Sequence, residues 1–418
     1  MNKGTQSASK SAIFNLTVLV AALGYFVDIY DLQLFNLVSK PSLKGIGITD
    51  EAAIKYWDVR LFNVQMIGML VGGIIWGVMG DLKGRKSILF GSIVLYSIAN
   101  ILNGMVDNTT QYQIVRFFAG LGLAGELGAA ITLVAEIMSK EHRGYGTMLI
   151  VSVGALGAVA AFFITSHVDW RVSYYIGGGL GLALLLLRFG TFESTMFDSV
   201  KTEKVSRGNF LSLFTNRERF IKYLFCILIG VPVWYCIGVL MKFSEQFAEG
   251  WGIDVSGDKG IQIRRTAIML SYIGLCVGDL LSGYLSQVFR SRKKIVIGYL
   301  LASATLAVLY VNMKSDSLTL FNVMCFLLGC ATGYWALFVT IASEQFGTNI
   351  RATATTTVPN FVRGFVVPLT LGFTALSEIS GDIQAAMVVG AISIGLALIA
   401  TIGIKETFGK DLNYVELS

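Results

Sequence analysis

Charge is scarce in this 418-residue chain: 14% of residues are Asp, Glu, Lys or Arg, while 54% are hydrophobic. A soluble globular protein carries about 25% charged residues, and a chain of this length would have to cover two or three soluble domains. The polar surface for that is missing, so an ordinary soluble enzyme is excluded. Proline is nearly absent, at 4 residues, and the 46 glycines follow no collagen-like period, which excludes fibrous and low-complexity classes. Five cysteines occur, none in a C-x-x-C pair, so neither a disulfide framework nor a zinc site is indicated. The only histidines are His142 and His167, and the chain has no H-E-x-x-H, no G-x-x-x-x-G-K-[ST] and no G-x-S-x-G. Metalloprotease, ATP-driven and serine-hydrolase chemistries are set aside. No cofactor or metal is required, and the chain is not expected to be an enzyme.

What the sequence does contain is long apolar runs. A helical span needs about 20 mostly apolar residues. Twelve such stretches occur, at roughly 13–38, 57–80, 87–105, 111–138, 144–166, 171–192, 220–247, 264–289, 295–313, 317–345, 352–377 and 383–404. Each is too long for a membrane β-strand, so the expected fold is an all-α integral membrane bundle of twelve helices. The polar start MNKGTQSASK leads into a first stretch of about 26 residues with no small-residue cleavage pattern, which reads as a retained span. With the N-terminus inside, twenty lysines and arginines fall on the cytoplasmic face and nine on the other, placing both termini in the cytoplasm. The net charge of +6 mostly reflects this bias and gives no sign of a nucleic-acid partner.

The chain repeats itself. Glu136 is followed seven residues later by Arg143, and Glu344 by Arg351, at an offset of 208 (344 − 136 and 351 − 143). GDLKGRK at 80–86 faces VFRSRKK at 288–294, and Gly72/Gly77 is matched by Gly278/Gly283. The expected organisation is a first six-helix bundle over 1–192, a charged cytoplasmic linker over 193–219 and a second bundle over 220–418. Duplicated units of this kind are used by transporters that rock two halves around a midplane site.

These segments carry a resemblance. GDLKGRK, RFFAGLGLAGELGAAITLVAEIMSKEHRG at 116–144, FES at 192–194, SEQFGTNIRAT at 343–353 and KETFGKDL at 405–412 are similar, in order and spacing, to the major facilitator superfamily. The likeness is to its sugar-porter, organic-ion and metabolite:proton symporter branches. It implies pseudo-symmetric halves, alternating access and a monomer in a bacterial-type inner membrane. The chain departs from the family in having Leu127-Gly128 after Glu126, where some branches carry proline. It also lacks the Gly-Pro element of drug antiporters in VSVGALGAVAAFF, which favours uptake. The implied activity is symport of a small polar, anionic organic metabolite with protons. The alternative is a proton-antiport exporter of a siderophore or drug-like compound.

Ionisable groups within spans are costly and normally face a cavity or a partner. Asp28 and Asp31 in GYFVDIYDLQLF share one helix face at a spacing of three. The resemblance places Asp31 and Arg116 on the family's proton-sensitive pair; a permanent structural salt bridge is the other reading. Asp28 is either a second carboxylate or a cavity wall. Glu126, near mid-membrane, would carry a proton or touch substrate. Arg363 is either an anion-binding fork or a partner for Asp279 or Glu126. Tyr25, Trp234, Tyr235, Tyr334 and Trp335, with Gln65 and Asn360, complete the expected substrate wall. Lys242 and Glu245 read as outer-end side chains snorkelling to water. Asp81, Arg85, Glu136, Arg143, Glu193, Glu344, Arg351 and Glu406 lie at cytoplasmic helix ends, where the resemblance implies a latch that breaks when that side opens.

Overall fold

A computed structural model describes residues 16–138, 143–188, 208–412 and 414–416. Every regular element among the described residues is a helix. In chain order the first half comprises α1 (Leu16–Gly45), α2 (Glu51–Lys83), α3 (Arg85–Asn103), α4a (Thr109–Leu123), α4b (Glu126–Ile137), α5 (Arg143–His167) and α6 (Trp170–Leu187). The second comprises α7a (Arg217–Tyr235), α7b (Ser244–Trp251), α8 (Asp258–Val288), α9 (Arg292–Asn312), α10a (Leu318–Thr332), α10b (Trp335–Gln345), α11a (Arg351–Gly364), α11b (Val366–Ser380) and α12 (Asp382–Gly403). Among the described residues, with broken helices joined, eleven helices are long and apolar enough to cross a membrane, and the apolar part of α3, Ser87–Asn103, is shorter than that. Each covers one of the apolar stretches.

The longest helices overrun those stretches because their ends are polar. α2 has 33 residues, about 50 Å at 1.5 Å per residue, against a hydrocarbon core of about 30 Å. It starts where Asp50 accepts a hydrogen bond from the Ala53 N–H at 2.7 Å and stops at Gly84, whose φ of 99° suits glycine.

The breaks have sequence causes. Pro368 lacks the N–H that would bond the Gly364 carbonyl, and the eleventh helix divides there, at Phe365. Pro232 lies just ahead of a π-helical segment, Cys236–Met241, in the seventh. The fourth helix breaks at Ala124–Gly125 and the tenth at Gly333–Tyr334. Gly125 and Gly333 stand 208 apart (333 − 125), the same offset that relates Glu136 to Glu344. The duplication therefore extends to backbone geometry.

Within the halves, α1 packs on α5 and α6, α2 and α3 on α4a, α8 on α10a, and α12 on α7a and α9. Two seams join the halves: α2 against α11a and α5 against α8. The repeated glycine pairs serve both purposes. Gly72 lies against the backbone of Leu121 and Gly278 against that of Cys330, each in its own half. A Cβ on Gly77 would stand 3.0 Å from Thr353 Cα, and one on Gly283 would stand 2.8 Å from Met148 Cγ, each across a seam. Small residues let membrane helices approach this closely. Gly77→Leu is thus expected to hold the α2–α11a seam apart. The check is a cysteine at Thr353, buried where α11a meets Gly77 in that seam. It should react with a soluble maleimide in the Gly77→Leu protein and stay protected with Gly77 intact.

Candidate functional site

At the centre, α1 and α11a each contribute one charge. Arg363 Nη2 lies 3.5 Å from Asp28 Oδ2, and both side chains are fully buried. The contact is a loose ion pair: neither Asp28 oxygen, nor Nε or Nη2 of Arg363, has a hydrogen-bond partner. Nη1 donates to Asn360 Oδ1 at 3.2 Å, and the guanidinium carbon lies 5.9 Å from the centre of the Trp335 ring, a cation–π distance. Arg363 lines a cavity with Tyr25, Trp234, Tyr272 and Trp335, its remaining wall aliphatic. The cavity measures about 20 Å³, room for about one water. Gln33 on α1 donates to Tyr272 Oη on α8 at 2.6 Å, tying the halves together beside it.

This arrangement corrects several expectations. The partner of Arg363 is Asp28, because Asp279 caps α10b by accepting the Ala336 N–H at 2.8 Å and Glu126 is held elsewhere. Arg188 at the end of α6 clamps Glu126 with both arms, one at 3.0 Å to Oε2, and also donates to the Leu89 carbonyl at 2.8 Å. Gly24 leaves the space for this pair against α1. Glu126 therefore does not line the central cavity. Arg116 forms no ion pair with Asp31; it donates to Gln65 Oε1 and its guanidinium carbon lies 4.5 Å from the centre of the Phe35 ring. Asp31 is buried without a hydrogen bond to either oxygen, beside Gly177 of α6. Tyr235 donates to the Ala386 carbonyl at 2.9 Å and Tyr334 to that of Ile229 at 3.0 Å, and neither lines this cavity. Asn360 bridges the halves by donating to the Ala124 carbonyl, at the break in the fourth helix, at 2.7 Å. Of the expected substrate wall, Tyr25, Trp234, Trp335 and Arg363 come together. Gln33, Tyr272 and Arg188 were missed; an arginine within a span was a signal that a buried acid holds it.

The two ends of the bundle are latched. At one, both Asp81 oxygens accept N–H groups of α11a, from Ala352 at 3.1 Å and Thr353 at 2.8 Å, a carboxylate on a helix N-terminus. Glu136 pairs with Arg351 across the seam at 3.2 Å, and Glu344 with Arg292 inside the second half at 3.3 Å. Glu406 accepts the N–H groups of Arg292 and Phe408, each at 3.0 Å. Burial pushes its carboxyl up, but the Ser291 hydroxyl and these N–H groups prevail and hold it below the usual range. The side chains of Arg85 and Arg143, and all of Glu193, lie outside the described residues. At the opposite end Lys242 and Arg264 both meet Asp58 Oδ2 at 3.2 Å, and Lys40 meets Glu245 at 3.0 Å. Lys242 and Glu245 thus do not snorkel; they bind the second half to α2 and α1.

The profile of the Major Facilitator Superfamily matches residues 21–369. The chain belongs to this family. It is 28% identical over 414 residues to the putative niacin/nicotinamide transporter NiaP of Bacillus subtilis, covering 94% of this chain and 96% of that protein. It is 28% identical over 418 residues to the cis,cis-muconate transport protein of Acinetobacter baylyi, covering 95% of each. The 3-(3-hydroxy-phenyl)propionate transporter of Escherichia coli is 25% identical over 417 residues, covering 95% of this chain and 96% of that one. Among solved structures, the proton:xylose symporter XylE bound to 6-bromo-6-deoxy-D-glucose superposes with a TM-score of 0.74 at 18% identity, covering 97% and 98% of the two chains. The protein is a multi-pass membrane transporter of this fold and not an enzyme.

The clamp on Glu126 has a measurable consequence. Glu126→Gln breaks the buried ion pair that both arms of Arg188 make with this carboxylate and is expected to cost about 3–5 kcal/mol. Replacing both residues by leucine should be nearly neutral. Thermal unfolding of the purified proteins in detergent compares them, and equal losses in both variants would overturn this expectation by showing the pair to be net stabilising.

Proposed function

We propose that the protein imports a small organic carboxylate with protons across the bacterial inner membrane, as a monomer with both termini inside. Its units would be the bundles at 1–192 and 220–418, joined by the linker at 193–219. The observation that carries this reading is the unsatisfied Asp28–Arg363 pair beside an aromatic-walled cavity. A guanidinium fork with a free Nε and Nη2 matches a carboxylate in two parallel hydrogen bonds, and Tyr25, Trp234 and Trp335 suit a flat, unsaturated body. Relatives named for niacin, muconate and hydroxyphenylpropionate point to the same chemical class.

Coupling follows from competition. Asp28 and the substrate's carboxylate both seek Arg363. Protonating Asp28 releases the guanidinium, and the incoming anion restores neutrality, so the site holds balanced charge both empty and loaded. Asp31, one turn on and also without a hydrogen bond, is the second carboxylate of the proton path. The Asp81, Glu136 and Arg351 contacts are the inner latch, which opens to release both.

Uptake and binding of niacin, muconate and benzoate in proteoliposomes, with protein-free liposomes as the baseline, test this. Arg363→Ala should weaken binding at least about tenfold, a loss of about 1.4 kcal/mol; unchanged affinity would make Arg363 structural. Wild-type affinity should rise as pH falls, since protonation frees Arg363. Asp28→Asn should bind independently of pH, exchange substrate and fail to accumulate it. Asp31→Asn should exchange but not accumulate, and full accumulation by that protein would remove Asp31 from the proton path.

A further inference from the structure

The mouth opposite the Asp81 latch, the outer one in the proposed orientation, holds a cavity of about 250 Å³. Its floor is unbalanced. Lys242 and Arg264, both from the second half and about 95% buried, share the single oxygen Asp58 Oδ2 at 3.2 Å each. The other Asp58 oxygen and the Nε of Arg264 have no hydrogen-bond partner. Arg264 Nη2 donates to Ser39 Oγ at 3.2 Å, and Lys242 Nζ lies 4.5 Å from the centre of the Phe62 ring. The neighbouring Glu245 is taken by Lys40, and Glu51 at the rim by Lys44; the remaining rim charges, Lys55 and Glu249, are exposed. Two buried cations therefore face one carboxylate, and that carboxylate also ties the halves together at this end.

We propose that this cavity is a recruitment site for the substrate's carboxylate, which takes the place of Asp58 on Arg264 and Lys242 and thereby opens the outer mouth. The inference rests on the organic-anion reading above. Two sharing cations offer more donors than one carboxylate oxygen accepts, and the free Nε lets Arg264 grip an incoming carboxylate with its fork. The incoming group can occupy those donors fully only once Asp58 has withdrawn. It therefore binds the open mouth better than the closed one, which is the condition for a ligand to shift the equilibrium. Substrate arrival and mouth opening become one event, and the outer path stays shut when no anion is present.

Ile54, 1% exposed in the cavity wall, reports opening when replaced by cysteine and treated with a membrane-impermeant maleimide. The probes are sodium benzoate and adipate, with benzamide as the uncharged control. In full-length Ile54→Cys protein the carboxylates should speed labelling about tenfold, within the usual range of coupling between sites, and benzamide should not. The acceleration should survive Arg363→Ala, which removes the central site, and vanish in Arg264→Gln and Lys242→Gln. Asp58→Asn should label rapidly with no anion present, an effect opposite in sign that misfolding of the Gln variants does not mimic. Carboxylates that bind and are transported by the wild type without altering labelling would overturn the recruitment site alone. So would acceleration that persists in both Gln variants. If the wild type neither binds nor transports either carboxylate, the organic-anion reading falls and this inference with it.

Discussion

The structure depends on matching charges where the two halves meet away from water. Placing an ion in a low-dielectric setting costs several kcal/mol unless a counter-ion and hydrogen bonds replace its hydration. At three depths the first half supplies the acid and the second half the cation: Asp58 to Lys242 and Arg264, Asp28 to Arg363, and Glu136 to Arg351. Asp81 adds a carboxylate on the N-terminus of α11a. Among the described residues, Lys40–Glu245 runs the other way. The halves are thus complementary faces, and either end separates only when water or another ion takes over the partner lost.

Rigid halves turn those pairs into switches. Gly72 and Gly278 lock α2 to α4a and α8 to α10a, while Gly77 and Gly283, one helical step on, let the same helices touch the opposite half. Internal packing and seam packing therefore lie on different faces of the same helices, so a seam can part without disturbing a bundle. Buried pairs inside one half, Glu126–Arg188 and Arg292–Glu344, belong to the bundles rather than the switch. Packed interfaces of this kind have two stable arrangements rather than a continuum.

The apolar stretches, the repeat and several buried charges, among them Asp28, Asp31, Glu126 and Arg363, were legible in the sequence, since each is a matter of hydropathy or spacing; Asp58, Arg188 and Arg264 were not. Nor were the pairings. Asp28 and Asp31 share a helix face by the three-residue rule, yet successive residues turn by about 100°, so the two directions still differ by about 60°. That angle sends Asp28 across to Arg363 and leaves Asp31 beside Gly177 in its own half. Likewise Tyr235 and Tyr334 differ by one residue from Trp234 and Trp335, and one residue rotates a side chain from the cavity to the bundle interior. Lys242 was read as snorkelling because nothing local distinguishes an end that meets water from an end that meets Asp58 on another helix.

On the proposed reading, electrostatics also explains why such a carrier would not leak. With both ends latched and no substrate bound, the central cavity of about 20 Å³ holds about one water, too little to hydrate a lone Arg363, and a substrate must widen it to bind. Crossing between sides is then inexpensive in two states only: empty, with Asp28 ionised, or loaded, with Asp28 protonated and a carboxylate on the guanidinium. A proton without substrate would leave Arg363 alone, and substrate without a proton would press two anions onto one cation. Each miscounted state carries an uncompensated buried charge, and a penalty of about 3–5 kcal/mol reduces its population by roughly two to four powers of ten. The stoichiometry of coupling would then follow from charge balance in a site too small for water to correct it.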